Sequence, residues 1–283
     1  LVEAWSGSGA YTLKVSLTSQ NDANSGGDAG DVFDTATQLA STNATYAGFF
    51  KDLDVDDVYM LTVSAGQTVS VNATPPSTLQ VWLGLFDPAR NQVISDLPNK
   101  GVMAKVSWTT NSAQVNYTYY IWVEAWSGSG TYSFVVNLAS QNDANSGGDA
   151  GDTFDAATQL ASVNSTYSGF LKDADTDDYY KVNVLAGQTL AVNVTPASGL
   201  QVALQFYNPA RNTVFSDYPN QGVMAKASWT TNSAMPNYTY YVRVDESLGF
   251  GTYSMVVSLV SQNDAGTGGD AGDDLSTARP VSI

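Results

Sequence analysis

The chain contains no cysteine and no histidine. Without cysteine there is neither a disulfide framework nor a thiolate metal site. Without histidine there is no Ser-His-Asp triad, no Cys-His dyad and no imidazole-bound zinc. Basic residues are scarce as well: 11 Lys and Arg stand against 27 Asp and Glu, a formal charge of −16. That balance argues against nucleic acid, which is gripped by clustered Lys and Arg, and favours divalent cations. No apolar run approaches the ~18–20 residues that span a bilayer. An initiator Met and a leader peptide are also missing, so the sequence reads as a mature or excised piece of a longer product. What is present is enough apolar side chain, 43% of 283 residues, for ordinary packed cores.

The sequence repeats itself. SQNDANSGGDAGD at 19–31 recurs unchanged at 140–152 and, as SQNDAGTGGDAGD, at 261–273, an offset of 121 residues each time. The same offset maps VEAWSGSG at 2–9 onto 123–130, PARN at 88–91 onto 209–212, and KGVMAKVSWTTNSA at 100–113 onto QGVMAKASWTTNSA at 221–234. The period predicts four pieces: a closing strand of a preceding repeat at 1–19, whole domains at 20–140 and 141–261, and an opening segment of a following repeat at 262–283.

Within a repeat, short alternating runs predict strands. Tyr59, Leu61 and Val63 share one face of 58–65, and the next copy keeps Tyr180, Val182 and Val184 apolar. Val69 and Val71, then Val81, Leu83 and Leu85, then Tyr119, Ile121 and Val123 point inward in the same way, and 130–138 closes the unit. Turn residues separate these runs. FDTATQLA at 33–40 fits a weak helix or a short edge strand. Many short strands without crossover helices predict an all-β chain of tandem antiparallel sandwiches joined by short Gly/Asp-rich linkers.

Taken in order, NDANSGGDAGD, Asp54-Val55-Asp56-Asp57-Val58-Tyr59, Ala65-Gly66-Gln67-Thr68, LQVWLGLFDPARN, Tyr119–Val123 and Gly130-Thr131-Tyr132 resemble the bacterial and archaeal pre-peptidase C-terminal domain. The resemblance covers nearly the whole chain, twice. It implies a jelly-roll-like β-sandwich of a secreted protein, non-catalytic, with calcium bound near the lead-in segment in some relatives. No peptidase is attached here, only further copies of the repeat, which shifts the expectation from an enzyme accessory to an array.

The acidic stretch has the composition of a calcium loop. Calcium takes six to eight hard oxygens, and Asp22, Asn24, Asp28 and Asp31 alternate with glycines that let the backbone curl. It is not an EF-hand, because the twelfth position is Phe33. Asp52, Asp54, Asp56 and Asp57 form a second acidic group; with Asp34, the two groups hold eight of the eleven acids in residues 20–140. Such crowding repels unless a cation neutralises it. The expectation is Ca²⁺ joining each linker to the following domain through Asp22, Asn24, Asp28, Asp31, Asp54, Asp56 and Asp57. The second set is Asp143, Asn145, Asp149, Asp152, Asp175, Asp177 and Asp178, and Asp264, Asp270 and Asp273 begin a third. The competing reading is a flexible, ion-free linker.

Six Asn-x-Ser/Thr sequons, at Asn43, Asn72, Asn116, Asn164, Asn193 and Asn237, are candidate glycosylation sites and would place the protein outside the cell, in an archaeon or eukaryote. Trp82, Trp122 and Trp126 become Ala203, Arg243 and Ser247 in the second copy. The core therefore does not require them, and they are candidates for an interaction surface, alternatively for ordinary packing under a loop. Trp108 and Trp229 occur in both copies and read as structural. Crowded carboxylates in Gly-rich loops suit metal ligation better than a glycosidase pair, so no enzyme activity is expected. The expected function is a structural repeat of an extracellular filament, stalk or surface layer, partnered by copies of itself as a homopolymer or long tandem array. The rival is a polysaccharide- or protein-binding array, with cell-surface glycans as candidate partners.

Overall fold

The computed structural model describes residues 1–40, 42–111, 116–161, 163–232 and 238–280. It is built from two β-sandwich modules in tandem, and the described residues contain no α-helix. The first comprises β1 (Thr37–Gln38), β2 (Ala44–Phe50), β3 (Asp56–Ser64), β4 (Gln67–Thr74), β5 (Gln80–Phe86), β6 (Gln92–Asp96), β7 (Ala104–Thr109), β8 (Asn116–Ser127) and β9 (Gly130–Ser140). One sheet has the order β1-β3-β8-β5-β6 and the other β2-β9-β4-β7; only the β1–β3 pair is parallel. The second module repeats this with β10 (Thr158–Gln159), β11 (Ser165–Leu171), β12 (Asp177–Val184), β13 (Gln188–Pro196), β14 (Gln201–Tyr207), β15 (Thr213–Asp217), β16 (Ala225–Thr230), β17 (Tyr238–Leu248) and β18 (Gly251–Ser261).

Alternation decides the core. Tyr59, Leu61, Val63, Val69, Val71, Val81, Leu83, Leu85, Tyr119, Ile121 and Val123 all lie between the two sheets, on the faces their period assigns. The ambiguous stretch at 33–40 resolves into a single 3-10 turn at Phe33–Thr35 followed by edge strand β1. Strands β2, β6 and β7 carry weaker signals. In β2 the inward series is Tyr46, Gly48, Phe50, and Gly48 reads as punctuation although it is a packing residue. A Cβ there would lie 2.4 Å from the Tyr132 ring, so only glycine admits that tyrosine to the core.

Residues 1–20 form no strand in this chain and leave Val15 and Leu17 exposed. The matching residues 122–140 become strand because β2, β3, β4 and β5 flank them. Residues 1–19 have no such neighbours in this chain, and an unpaired strand is not stable alone.

The modules touch at two places. The turn at Gly66 of the first packs on Asp149, where an added Cβ would lie 2.2 Å from the aspartate Cβ. The tight hairpin Lys172–Asp175 of the second, closed by the Lys172 N–H to Asp175 carbonyl bond at 2.8 Å, caps edge strand β7. There the Thr109 N–H donates to Asp173 Oδ2 at 2.9 Å, and the Thr109 carbonyl accepts from the Ala174 N–H at 3.2 Å.

Candidate metal centre

The acidic lead-in is folded by its own polar groups. The Asp22 N–H donates to the Gly27 carbonyl at 2.9 Å, and the Gly26 N–H donates to Asn21 Oδ1 at 2.7 Å. The loop is then pinned to β3 by the Val58 N–H, which donates to the Gly30 carbonyl at 2.9 Å. Gly30 has φ +76, and a Cβ on it would meet the Thr35 carbonyl at 2.4 Å, so the chain needs glycine at this crossing. Phe33, the residue that rules out an EF-hand, plugs the outer face of the sheet. Its ring lies 5.1 to 5.2 Å, edge-on, from Phe86, Tyr120 and Trp122.

Pinned this way, the loop faces its aspartates onto those of β3 and the hairpin before it. Carboxylate oxygens of Asp22, Asp28 and Asp57 lie within 4.8 Å of one another, as do those of Asp28, Asp31 and Asp54. Asp143, Asp149 and Asp178, then Asp149, Asp152 and Asp175, repeat the arrangement. Each module thus carries five aspartates in two adjoining trios that share one member, Asp28 or Asp149.

Burial makes these sites costly without a cation. Asp57, Asp175 and Asp178 are fully buried, with Asp22 and Asp143 nearly so. Burial, with the Asp28 charge next in weight, pushes Asp22 up to about 7. Burial pushes Asp57 up to about 8 against the Tyr132 hydrogen bond, which pulls it down. In the second module burial and Asp149 raise Asp143 to about 8 and Asp175 to about 9, and burial holds Asp178 well above the usual carboxylate range.

Some carboxylate oxygens are satisfied. Tyr132 Oη donates to Asp57 Oδ2 at 2.6 Å while meeting Tyr59 Oη at 2.8 Å, and Tyr253 donates to Asp178. Gln20 Nε2 donates to Asp54 Oδ2 at 2.5 Å and Gln141 Nε2 to Asp175 Oδ2 at 2.7 Å. Other oxygens of the cluster are buried with no hydrogen-bond donor: Gln20 Oε1, Asp22 Oδ2, Asp54 Oδ1 and Asp57 Oδ1, matched by Gln141 Oε1, Asp143 Oδ2, Asp175 Oδ1 and Asp178 Oδ1. A native core rarely leaves such acceptors unpaired. Four such atoms recur in both modules, in or beside the two aspartate trios, and this all-oxygen set fits a hard divalent cation such as Ca²⁺, which takes carboxylate and amide oxygens and no nitrogen or sulfur.

Two expected ligand types lie elsewhere. Asp56 opens β3 one residue before Asp57, so its side chain takes the opposite face, where Asp56 Oδ1 accepts the Trp122 indole N–H at 2.8 Å. Asp177 likewise pairs with Arg243. Asn24 and Asn145 are exposed, in left-handed turns with φ 63 and 61, where asparagine is tolerated. Asp264, Asp270 and Asp273 form no trio among the described residues, because this chain has no third counterpart of Asp54 and Asp57. Sequence reasoning missed Gln20, Gln141, Tyr132 and Tyr253. The glutamines stand in the repeated SQND, and the tyrosines in the repeated Gly-Thr-Tyr, with nothing local to mark them as partners of a carboxylate.

Of the variable tryptophans, Trp122 lies in the aromatic cluster under Phe33, and Trp82 packs near Phe86 with centroids 6.2 Å apart. Both are half-buried, while Trp126 stays 57% exposed. Among the sequons, Asn43 and Asn164 are exposed at positive φ, and their Oδ1 atoms accept the Leu138 and Leu259 N–H groups at 3.1 and 3.2 Å. Asn72 and Asn193 are half-buried on the outer phase of β4 and β13. Asn237 and the side chain of Asn116 lie outside the described residues.

No protein-family model and no curated protein matches this chain. Among solved structures it is similar to the pre-peptidase C-terminal domain of a collagenase from Bacillus anthracis, at 21% identity over 36% of this chain and 93% of that one, with a TM-score of 0.31. It is also similar to the tandem CBM22 domains of Xyn10C from Paenibacillus barcinonensis, at 12% identity over 77% of this chain and 86% of that one, TM-score 0.23. The PBSX exported protein XepA follows at 10% identity over 77% and 83%, TM-score 0.19. Likenesses at this level carry no residue of the acidic site.

Proposed function

We propose that this chain is a non-catalytic structural segment of an extracellular filament, stalk or surface layer, in which Ca²⁺ fixes each linker to the module that follows it. The observation that carries the reading is the set of buried, donorless carboxylate oxygens that recurs position for position in both modules. In the second module the site also touches the first: Asp149, shared by both trios, is pressed against Gly66. A cation there holds the linker, the second module and, through Asp149, the preceding turn in one arrangement. Asp22, Asp28, Asp31, Asp54 and Asp57, with Gln20, are the ligand candidates of the first site, and their counterparts 121 residues on those of the second. Partners are further copies of the repeat.

Calorimetric titration of chelator-stripped protein with calcium is expected to give heat at both sites. Small-angle scattering should shift from a broad to a narrow distribution of module angles as calcium is added. No heat and an unchanged scattering curve sink the proposal. A second reading, a glycan- or protein-binding array, is favoured by one feature, the exposed Trp126 beside the Ser127–Gly130 turn, and glycan-array binding that Trp126→Ala abolishes is its test.

A further inference from the structure

The hairpin that joins the two modules has a free twin, and so does the cavity it fills. In the first module a cavity of about 220 Å³ is lined by Asp87, Pro88, Ala89, Asn111, Tyr117 and Tyr119 and, from the second module, by Ala174 at the tip of the Lys172–Asp175 hairpin. The corresponding cavity of the second module, lined by Pro209, Ala210, Val214, Trp229, Tyr238 and Tyr240 among others, measures about 480 Å³ and has no hairpin among the residues described as lining it. Its rim shows the same difference, since Thr109 is fully buried whereas Thr230 is exposed. In the first module the hairpin Lys51–Asp54 has the same backbone closure, with Lys51 and Asp54 exchanging both hydrogen bonds at 3.1 Å, and among the described residues it caps no strand edge. Its tip carries Leu53 where the second hairpin carries Ala174, and Leu53 is 98% exposed.

We propose that the Lys51–Asp54 hairpin of one copy of this chain docks on β16 of a second copy, seating Leu53 in the cavity between Trp229, Tyr238 and Tyr240. The contact is head-to-tail, because the hairpin and the cavity are different surfaces at different modules, so it propagates instead of closing on itself. The internal junction supplies the geometry. Asp52 accepts from the Thr230 N–H as Asp173 does from Thr109, the Leu53 N–H donates to the Thr230 carbonyl, and Lys51 reaches Ser228 as Lys172 Nζ reaches Ser107 Oγ at 3.4 Å.

Residues 262–270 already occupy the linker half of this surface, with Asp270 against Gly187 as Asp149 is against Gly66. An incoming copy replaces them with its own residues 20–28, nearly the same sequence, so the exchange is close to even and burial of Leu53 supplies the drive. The inference takes its setting, an array of like modules, from the function proposed above. It does not depend on the cation.

The absence of cysteine makes the test clean. Leu53→Cys with Ala210→Cys, oxidised under mild conditions, is expected to give a ladder of disulfide-linked oligomers, whereas Leu53→Cys with Gln92→Cys, an exposed pair away from the cavity, is not. Leu53→Asp in the otherwise unaltered chain should weaken concentration-dependent association in sedimentation velocity about tenfold or more. Its circular dichroism should be unchanged, the hairpin tip being exposed. Equal ladders from both cysteine pairs, or a chain that stays monomeric throughout, overturn the proposal. A ladder from protein that gives no heat with calcium upholds it while removing the cation reading.

Discussion

The two acidic sites carry the same five aspartates and the same glutamine and differ in what lies over them. In the first module Asp28 and Asp31 are exposed and Asp54 is half-buried; in the second Asp149 and Asp152 are half-buried and Asp175 is fully buried. The cover is the preceding module, whose Gly66 turn meets Asp149 and whose β7 takes the hairpin that ends at Asp175. In both modules burial raises the paired groups, Asp22 to about 7 and Asp143 to about 8. The same set of carboxylates is therefore covered to different extents by its neighbour. By linkage, whatever the neighbour does to cation affinity, the cation does to docking of the neighbour.

The largest effect comes from removing the shared ligand. Asp149→Asn takes one carboxylate from both trios of the covered site, and Asp28→Asn does the same at the open one. Each is expected to remove the calcium stabilisation of its own module, ~2.7 kcal/mol when calcium stands at about a hundred times Kd. The scattering signature of a fixed angle between modules should vanish only in Asp149→Asn. Equal scattering from the two variants would break the comparison, by placing the junction outside the cation's reach.

The pH response sharpens it. Asp22, Asp57, Asp143 and Asp175 are raised to about 7, 8, 8 and 9, so each binds its proton more tightly folded than unfolded. In the calcium-free chain the contribution of these four groups to stability is fully present below about pH 4, the unfolded-chain value. It is lost as pH rises through the raised values. Calcium displaces those protons, so its affinity climbs with pH and proton release accompanies binding. Melting curves from pH 5 to pH 9 should show the calcium-induced rise in Tm growing with pH, and growing to higher pH at the covered site in Asp28→Asn than at the open site in Asp149→Asn. A calcium effect that shrinks as pH rises would reverse the assigned sign.

Much of this was legible beforehand, and the boundary is physical. The sandwich follows from period-two alternation, a local signal, and so do the burials of Tyr59, Val71 and Leu85. The acidic loop was visible because glycine and aspartate alternate within a dozen residues. The assignment of Asp56 as a ligand failed at the start of β3, where a change of one residue reverses the face. Gln20 and Tyr132 were hidden because their partners lie 34 and 75 residues away. The different exposure of Thr109 and Thr230 could not come from either repeat alone, because Thr109 bonds to the other module's hairpin and Thr230 has no such partner among the described residues.

The smallest expected effect separates backbone strain from contact. Gly66 and Gly187 occupy equivalent turns at φ +66 and +70, so alanine at either costs the same left-handed strain, about 1 kcal/mol. What differs is the neighbour. At Gly66 the new Cβ would lie 2.2 Å from the Asp149 Cβ, inside a junction held by the hairpin on β7; at Gly187 it would lie 2.6 Å from Asp270, in the largely exposed segment 262–280, which can yield. Gly187→Ala should therefore show the strain alone in chemical denaturation. Gly66→Ala should show roughly 1 kcal/mol more, together with weaker calcium binding at the covered site, because the displaced group is the shared ligand. Equal losses in the two variants, with calcium affinity intact in both, would mean that the Gly66 turn shares Asp149's surface without constraining it.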